Sequence, residues 1–391
     1  MRHSTRRALG AVAGVAVAAL ALSACSGGGS SEPAASDGDF TPLTSVKLQL
    51  QWLPQAQFAG YYVALDKGYF QEEGFDSVDV IPSGGDIVPQ DALVAGDVDF
   101  AVAWVPKVLG TLENQGVELT DIAQVFQKSG TTQVSWKDSN ITSVDDFEGK
   151  RIGSWGFGNE WEIFAAMADK GLDASSVQIT TQDFSMNALL DKDVDAAQAM
   201  TYNELAQLFE TVNPATGKLY TMDDVNVISY EDTAGAMLQD AIWADTKRLS
   251  DDPAYADAAT RFLKAVVKGW VFARDNPTEA ADITYKAATA PGVNAFPVGP
   301  THQLWQMNEV NKLIWTGGDF GTIDSAAWDK TVQGALKAVN QDGLNLITTE
   351  PAKSAHSNEY IEKALTALKE EGVTVDGTYT PIDVTLTEGG Q

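Results

Sequence analysis

The sequence predicts an α/β fold of two similar lobes around a ligand cleft, and three observations carry that prediction. Strand-like and helix-like segments alternate from Val46 to Thr180, which is the grammar of βαβ units on a parallel sheet. Residues Ala92–Trp104 return as Ala188–Met200, identical at seven of thirteen positions with a constant offset of 96. Beyond Asp251 the pattern turns helical. Two similar lobes would turn the carboxyl ends of two sheets toward one cleft, where open α/β folds bind ligands. Chance likeness between two short amphipathic units is the alternative.

Taken in order, Arg2, Arg6 and Arg7 precede an apolar run that ends in Leu22-Ser23-Ala24-Cys25. Residues 1–24 read as an export signal, too short and wrongly flanked to be a transmembrane helix. Cys25, the only cysteine, matches the lipid-carrying position of a bacterial lipobox; an ordinary signal with an incidental cysteine is the alternative. Residues 25–44 are a flexible tether rich in Gly, Ser, Pro and Ala. The expected localisation is exported, lipid-anchored to the outer face of the cell membrane.

Val46–Gln51 alternates as a strand, and Gly60–Lys67 opens a helix. Val78–Ile81 is a second strand ending in Pro82-Ser83-Gly84-Gly85, Pro89–Ala95 a helix, and Val98–Trp104 a third strand. Lys150–Trp155, Asn159–Lys170 and Val177–Thr180 repeat strand, helix and strand. The aspartates at the echoed strand entries, Asp97, Asp99, Asp193 and Asp195, read as structural. Asp252-Pro253 starts a long helix whose apolar face holds Phe262, Leu263, Val266, Val267, Trp270 and Val271, and Asn276-Pro277 closes it. Further helices fit Thr301–Ile314, Ser325–Val339 and Asn358–Glu371. The last twenty residues are polar and Gly- and Thr-rich, hence expected to be loosely attached.

Composition excludes several function classes. With Cys25 assigned to lipid no disulfide is expected, so a hydrophobic core must hold the fold. The formal charge of −28 becomes −31 without the three signal arginines, which disfavours nucleic acid and anionic lipid as partners. Three histidines, one of them in the signal, leave no credible transition-metal site. No G-x-S-x-G elbow occurs, and His302 has no evident serine or aspartate partner, so no catalytic residue is assigned. Gly156-Phe157-Gly158 follows a strand as a dinucleotide loop would, but Trp161 stands where the third glycine belongs. No cofactor is expected.

Candidate binding residues cluster in three blocks. Gln51–Phe70 packs Trp52, Phe58 and Tyr62 around Gln55 and Gln57 with no charge before Asp66. Rings supply stacking energy and amides fix orientation, which suits a flat, nitrogen-rich ligand; a surface-to-core transition is the structural alternative. Trp155, Asn159 and Glu160 surround a helix start, with Asn159 as a plausible cap, and Glu160 would repel a phosphate there. Tyr202, Asn203 and Glu204 follow the second-lobe strand and either read a heterocycle or cap a helix. Gly84 and Gly85 offer backbone N–H groups or merely turn the chain, and Trp104 ends the third strand facing the cleft or the core.

Four ordered blocks carry a family resemblance: Trp52–Gly74 (WLPQAQFAGYYVALDKGYFQEEG), Gly96–Val102, Gly149–Glu160 and Ala199–Glu204. From about Val46 to Asn276 the chain resembles the SsuA/thiamine-pyrimidine-synthase-like solute-binding proteins. The resemblance implies the type II periplasmic-binding-protein fold: two α/β lobes, two crossing strands, and a ligand trapped by closure. It implies a discontinuous lobe one, drawn at 45–130 and 244–375, with lobe two at 131–243 and a loose tail at 376–391. The chain would cross near Gln127–Val134 and return near Leu238–Ala244. Bacterial members deliver solutes to ABC importers, so permease and ATPase subunits are the implied partners of a monomer.

Fungal members are enzymes that make thiamine pyrimidine from a histidine and lysine-bound pyridoxal phosphate. Here Ala103 stands where that lysine would be and Lys107 where the histidine would be, and the enzymes' cysteine-rich motif is absent, so a non-enzymatic binder is expected. A thiamine pyrimidine precursor is the implied ligand, with riboflavin the alternative because the longer QWxPQAQFAGYY and GNE…TYNE pattern resembles a group proposed for it. Nitrate or sulfonate would want positive charge, which these blocks do not offer.

Overall fold

A computed structural model describes residues 40–84, 87–293 and 299–391. The export signal, Cys25 and most of the tether lie outside the described residues, as does Gly85. Among the described residues fourteen strands appear in chain order. They are β1 (Ser45–Gln49), β2 (Ser77–Ile81), β3 (Phe100–Trp104), β4 (Leu119–Gln124) and β5 (Thr131–Trp136), followed by β6 (Arg151–Ser154), β7 (Gln178–Thr181) and β8 (Ala196–Met200). Then come β9 (Val212–Asn213), β10 (Lys218–Leu219), β11 (Val225–Ser229), β12 (Asp240–Asp245), β13 (Thr316–Asp319) and β14 (Asp376–Thr378).

The helices that pack on them begin with α1 (Ala59–Asp66), α2 (Tyr69–Glu72), α3 (Pro89–Val94) and α4 (Val105–Gln115). Next are α5 (Trp161–Asp169), α6 (Asn187–Leu190), α7 (Glu204–Phe209) and α8 (Thr246–Asp251). The chain ends with α9 (Pro253–Asp275), α10 (Pro277–Ala288), α11 (Pro300–Ile314), α12 (Ser325–Lys337) and α13 (Glu359–Glu370). Among them no helix is long and apolar enough to cross a membrane.

Two five-stranded mixed sheets organise the body, in the orders β2-β1-β3-β12-β4 and β7-β6-β8-β5-β11. The three leading strands of each are parallel, and the fourth, β12 or β5, runs antiparallel beside the third. The echoed segments β3 and β8 thus hold the same place in their sheets. Both are buried at every residue, as apolar strands covered on both faces must be. Even the turns correspond: Gly96 and Lys192, 96 apart, both adopt positive φ. Asp99 accepts from the Lys47 backbone N–H (2.9 Å) and Asp195 from that of Arg151 (2.8 Å), each tying the third strand's entry to the first strand.

The chain leaves the first sheet between Gln124 and Thr131 and returns between Ser229 and Asp240. The two crossings are braced together. Gln239 accepts from the Gly130 N–H (2.9 Å) and donates to Thr131 (2.6 Å) and to Glu162 of α5 (3.1 Å).

One expectation fails at the carboxyl end. The final residues are tied down: β14 pairs antiparallel with β13, and Tyr379 donates to Asn308 (3.1 Å). The Gly389 N–H reaches the Glu210 carbonyl at 3.0 Å, and Gly390 is buried. Backbone pairing and scattered single side-chain contacts of this kind leave no hydrophobic period in the sequence.

Candidate functional site

A cavity of about 820 Å³ opens where strands of both sheets end. Its walls come from the segments after β1, β2, β3, β6, β7 and β8, the carboxyl-end position at which open α/β sheets hold ligands. The loop 340–348 supplies a further side.

Of the residues singled out in sequence, Trp52, Gln57, Gly84, Trp104, Trp155, Asn159, Tyr202, Asn203 and Glu204 line this cavity. Three others do not. Phe58 is 0 % exposed and Tyr62 is buried in the same core cluster. A helix beginning at Ala59 turns both rings inward against the helical layer instead of toward solvent. Glu160 precedes α5 as its flanking residue and keeps one carboxylate oxygen buried without a hydrogen bond, off the cavity wall. Asn159 does not cap α5; its side chain donates to the Gly156 carbonyl (2.7 Å) and closes the preceding turn.

The first block is held by a carboxylate that the sequence reading did not select. Asp240, 1 % exposed, accepts from Gln51 (2.6 Å), from the Trp104 indole (2.8 Å) and from Gln57 (2.9 Å). Gln57 in turn accepts from Gln55 (2.8 Å). The pairing of Asp240 opposite Trp104 across β12 and β3 sets this group in place. Burial pushes the Asp240 carboxyl up to about 7, against the three donors and the charge of Lys107. The amides are therefore oriented from behind, and the ring of Trp52 faces Phe184 at 4.3 Å and 51°.

Across the cavity, Gln198 of β8 braces the turn after β6. It accepts from Ser154 (2.9 Å) and the Trp155 N–H (3.2 Å), and donates to the Asn159 carbonyl (2.6 Å). Gly156, Phe157 and Gly158 all have positive φ. The two glycines reach this conformation without a Cβ penalty, and Phe157 is strained into it. Phe157 stands 88 % exposed on the wall.

Glu204 accepts from the Met200 N–H (2.9 Å) and from Asn203 (2.8 Å), and burial raises it to about 7. Asn203 does not cap α7; its carbonyl oxygen lies 3.0 Å from His302 Nε2, whose Nδ1 meets Glu210 at 2.9 Å.

Phe184, Asp240 and Gln198 are site features that pattern reading missed, and Lys107 was legible in the family resemblance only as the counterpart of the enzymes' histidine. Lys107 alone carried a signal, a charged residue three positions beyond Trp104 on the same strand–helix turn. Burial lowers its ammonium to about 8, against the opposing charges of Glu160 and Asp240. Among the described residues no histidine or cysteine lines the cavity, and no cluster of three or more His, Cys, Asp or Glu is arranged to hold a metal ion. The arrangement can stack a planar molecule, orient its polar edge and screen it from water.

Comparison with known proteins bears on the same region. Residues 55–280 match the model of the family described as NMT1/THI5 like. The riboflavin-binding protein RibY of Chloroflexus aurantiacus is 26 % identical over 246 residues, which are 62 % of this chain and 66 % of that protein, just under two thirds of its length. The formylaminopyrimidine-binding protein of Halalkalibacterium halodurans is 22 % identical over 304 residues, 75 % of this chain and 85 % of that one. Among solved structures, a putative sulfonate-binding SsuA of Methylobacillus flagellatus superposes with a TM-score of 0.55 at 16 % identity. That match covers 88 % of this chain and all of the other, and it shows the periplasmic-binding fold.

Proposed function

We propose, for a chain that belongs to the NMT1/THI5-like family, that the cavity captures a flat heteroaromatic solute for an ABC importer and releases it unchanged. The observation that carries this reading is the pairing of wall rings Trp52, Trp104 and Trp155 with amides oriented by Asp240. Stacking supplies affinity in such a wall, and amides fixed from behind lose little entropy on binding. We draw the lobes at 45–130 with 244–375 and at 131–243, closing on the solute about the two crossings. Lipid attachment at Cys25 would keep a monomeric binder near its permease and ATPase.

The volume of about 820 Å³ favours a riboflavin-sized tricycle over a single pyrimidine ring, since ligand pockets of roughly 300–1,000 Å³ enclose most of a drug-sized molecule. A thiamine pyrimidine precursor is the second reading, favoured by the longer alignment with the formylaminopyrimidine-binding protein.

Calorimetry and tryptophan-fluorescence titration of the purified protein with riboflavin, an aminopyrimidine precursor, nitrate and an alkanesulfonate test these readings. Saturable quenching by riboflavin is expected, with Trp52→Ala weakening it by about tenfold or more. Binding of nitrate or sulfonate with neither heterocycle bound would overturn the proposal.

A further inference from the structure

We propose that Lys107 and Trp155 form an acceptor-binding corner of the cavity that takes a carbonyl or carboxylate oxygen of the solute. The inference rests on the cavity being the solute site and adds the chemistry of one edge of that solute.

Lys107 sits in the first turn of α4, directly after Trp104, and α4 has no side-chain cap at its amino end. The ammonium lies 4.9 Å from the centre of the Trp104 ring, and its stem runs against Gly158, where an added Cβ would stand 3.5 Å from Lys107 Cγ. The side chain thus reaches from the first sheet's side of the cavity to the turn after β6. Among the described residues its Nζ makes no hydrogen bond or ion pair. Glu160 and Asp240, the carboxylates whose charge acts on it, form no ion pair with it.

Trp155 supplies an independent second observation. It is 4 % exposed, lies on the cavity wall, and its indole N–H is buried without an acceptor. The N–H of Trp104, by contrast, is taken by Asp240. Asp240 and Glu204 already accept two or more donors each. The buried indole N–H is costly to leave unmatched, while the half-buried Lys107 ammonium keeps exposure to the cavity. An oxygen acceptor carried in by the solute satisfies both, and the positive end of α4 adds to the attraction. The rings provide stacking for any flat molecule; this corner selects those with an oxygen on one edge.

The test uses the purified full-length protein with riboflavin, an N-formylaminopyrimidine, nicotinate, and quinoline as a ring without oxygen. Lys107→Met keeps the stem and removes the charge, and Trp155→Phe keeps a ring and removes the N–H. The wild type is expected to prefer oxygen-bearing probes over quinoline, with each variant losing roughly tenfold or more for them and little for quinoline. Affinity of the wild type should fall between pH 8 and 9.5, above the range in which Asp240 and Glu204 titrate, as the ammonium deprotonates, while Lys107→Met changes little there. The Trp155 indole proton resonance should shift on titration, a readout that survives if the methionine variant folds poorly. A bound probe whose affinity changes by less than twofold in both folded variants would overturn this inference and leave the heteroaromatic reading standing. Failure of every probe to bind the wild type would defeat both.

Discussion

Asp240 shows how much one buried carboxylate can organise. Three donors from two separate segments converge on it, so its removal strands all three in a dry wall. Asp240→Ala is expected to cost about 2–4 kcal/mol, because each unmatched buried donor carries a desolvation penalty. Urea denaturation would measure it, and an unchanged midpoint would refute the role assigned here. Affinity for the solute should fall as well, since Gln51, Gln57 and Trp104 lose the acceptor that aims them. At this scale the sequence was informative about residue types and weak about direction. Phe58 and Tyr62 belong to the same aromatic block as Trp52, yet they enter the core. One helical turn decides which rings face the cavity.

At the scale of elements, periodicity was a good guide where a helix has one apolar face. Asp252 caps α9 by accepting from the N–H groups of Ala254 and Tyr255, as the Asp-Pro signal implied. The helix crosses α1 at unusually short range. A Cβ on Gly269 would stand 2.0 Å from the Gly60 carbonyl oxygen, and one on Gly60 would lie 2.4 Å from the Trp270 ring. Gly269→Ala should therefore destabilise the protein by about 3 kcal/mol or force the two helices apart. A thermal midpoint equal to that of the wild type would show that the approach is not tight. The helix α4 went unread as an element, and β12 was legible only as the return crossing near Leu238–Ala244 that the family resemblance implied, because nothing in a local window tells where a strand will insert into a distant sheet.

For the whole molecule, three buried carboxylates give a pH dependence of definite sign. Glu162, Glu204 and Asp240 are each pushed up to about 7 by burial, while their ordinary values are 4.5, 4.5 and 3.8. Between those limits the folded chain holds protons that the unfolded chain has released. Their stabilising contribution is complete below the ordinary values and is lost as pH rises toward and through 7. The thermal midpoint is expected to fall from pH 5 to pH 8 in about 0.5 M salt, which screens the net charge of −28. Glu162→Gln should flatten part of that slope. A midpoint that climbs steadily over this range would contradict the assignment. Glu162 also bonds Gln239 beside both crossings, so its ionisation acts where the lobes are joined.

The sequence by itself determined the α/β class, the correspondence between β3 and its echo β8, and three blocks that supply several of the cavity's rings and amides. Those properties are local: alternation, caps and composition act within a few residues of one another. Only the tertiary structure decided which of the rings face the cavity, that Asp240 anchors the amides, and that the Trp155 indole N–H is left without an acceptor while Lys107 reaches the turn after β6. It also bound down a carboxyl-terminal segment that composition had left loose. Each of these depends on residues far apart in the chain meeting across a sheet or a cleft, as Gln51 meets Asp240 over 189 positions. Such meetings are set by the packing of whole layers, which no window of sequence contains.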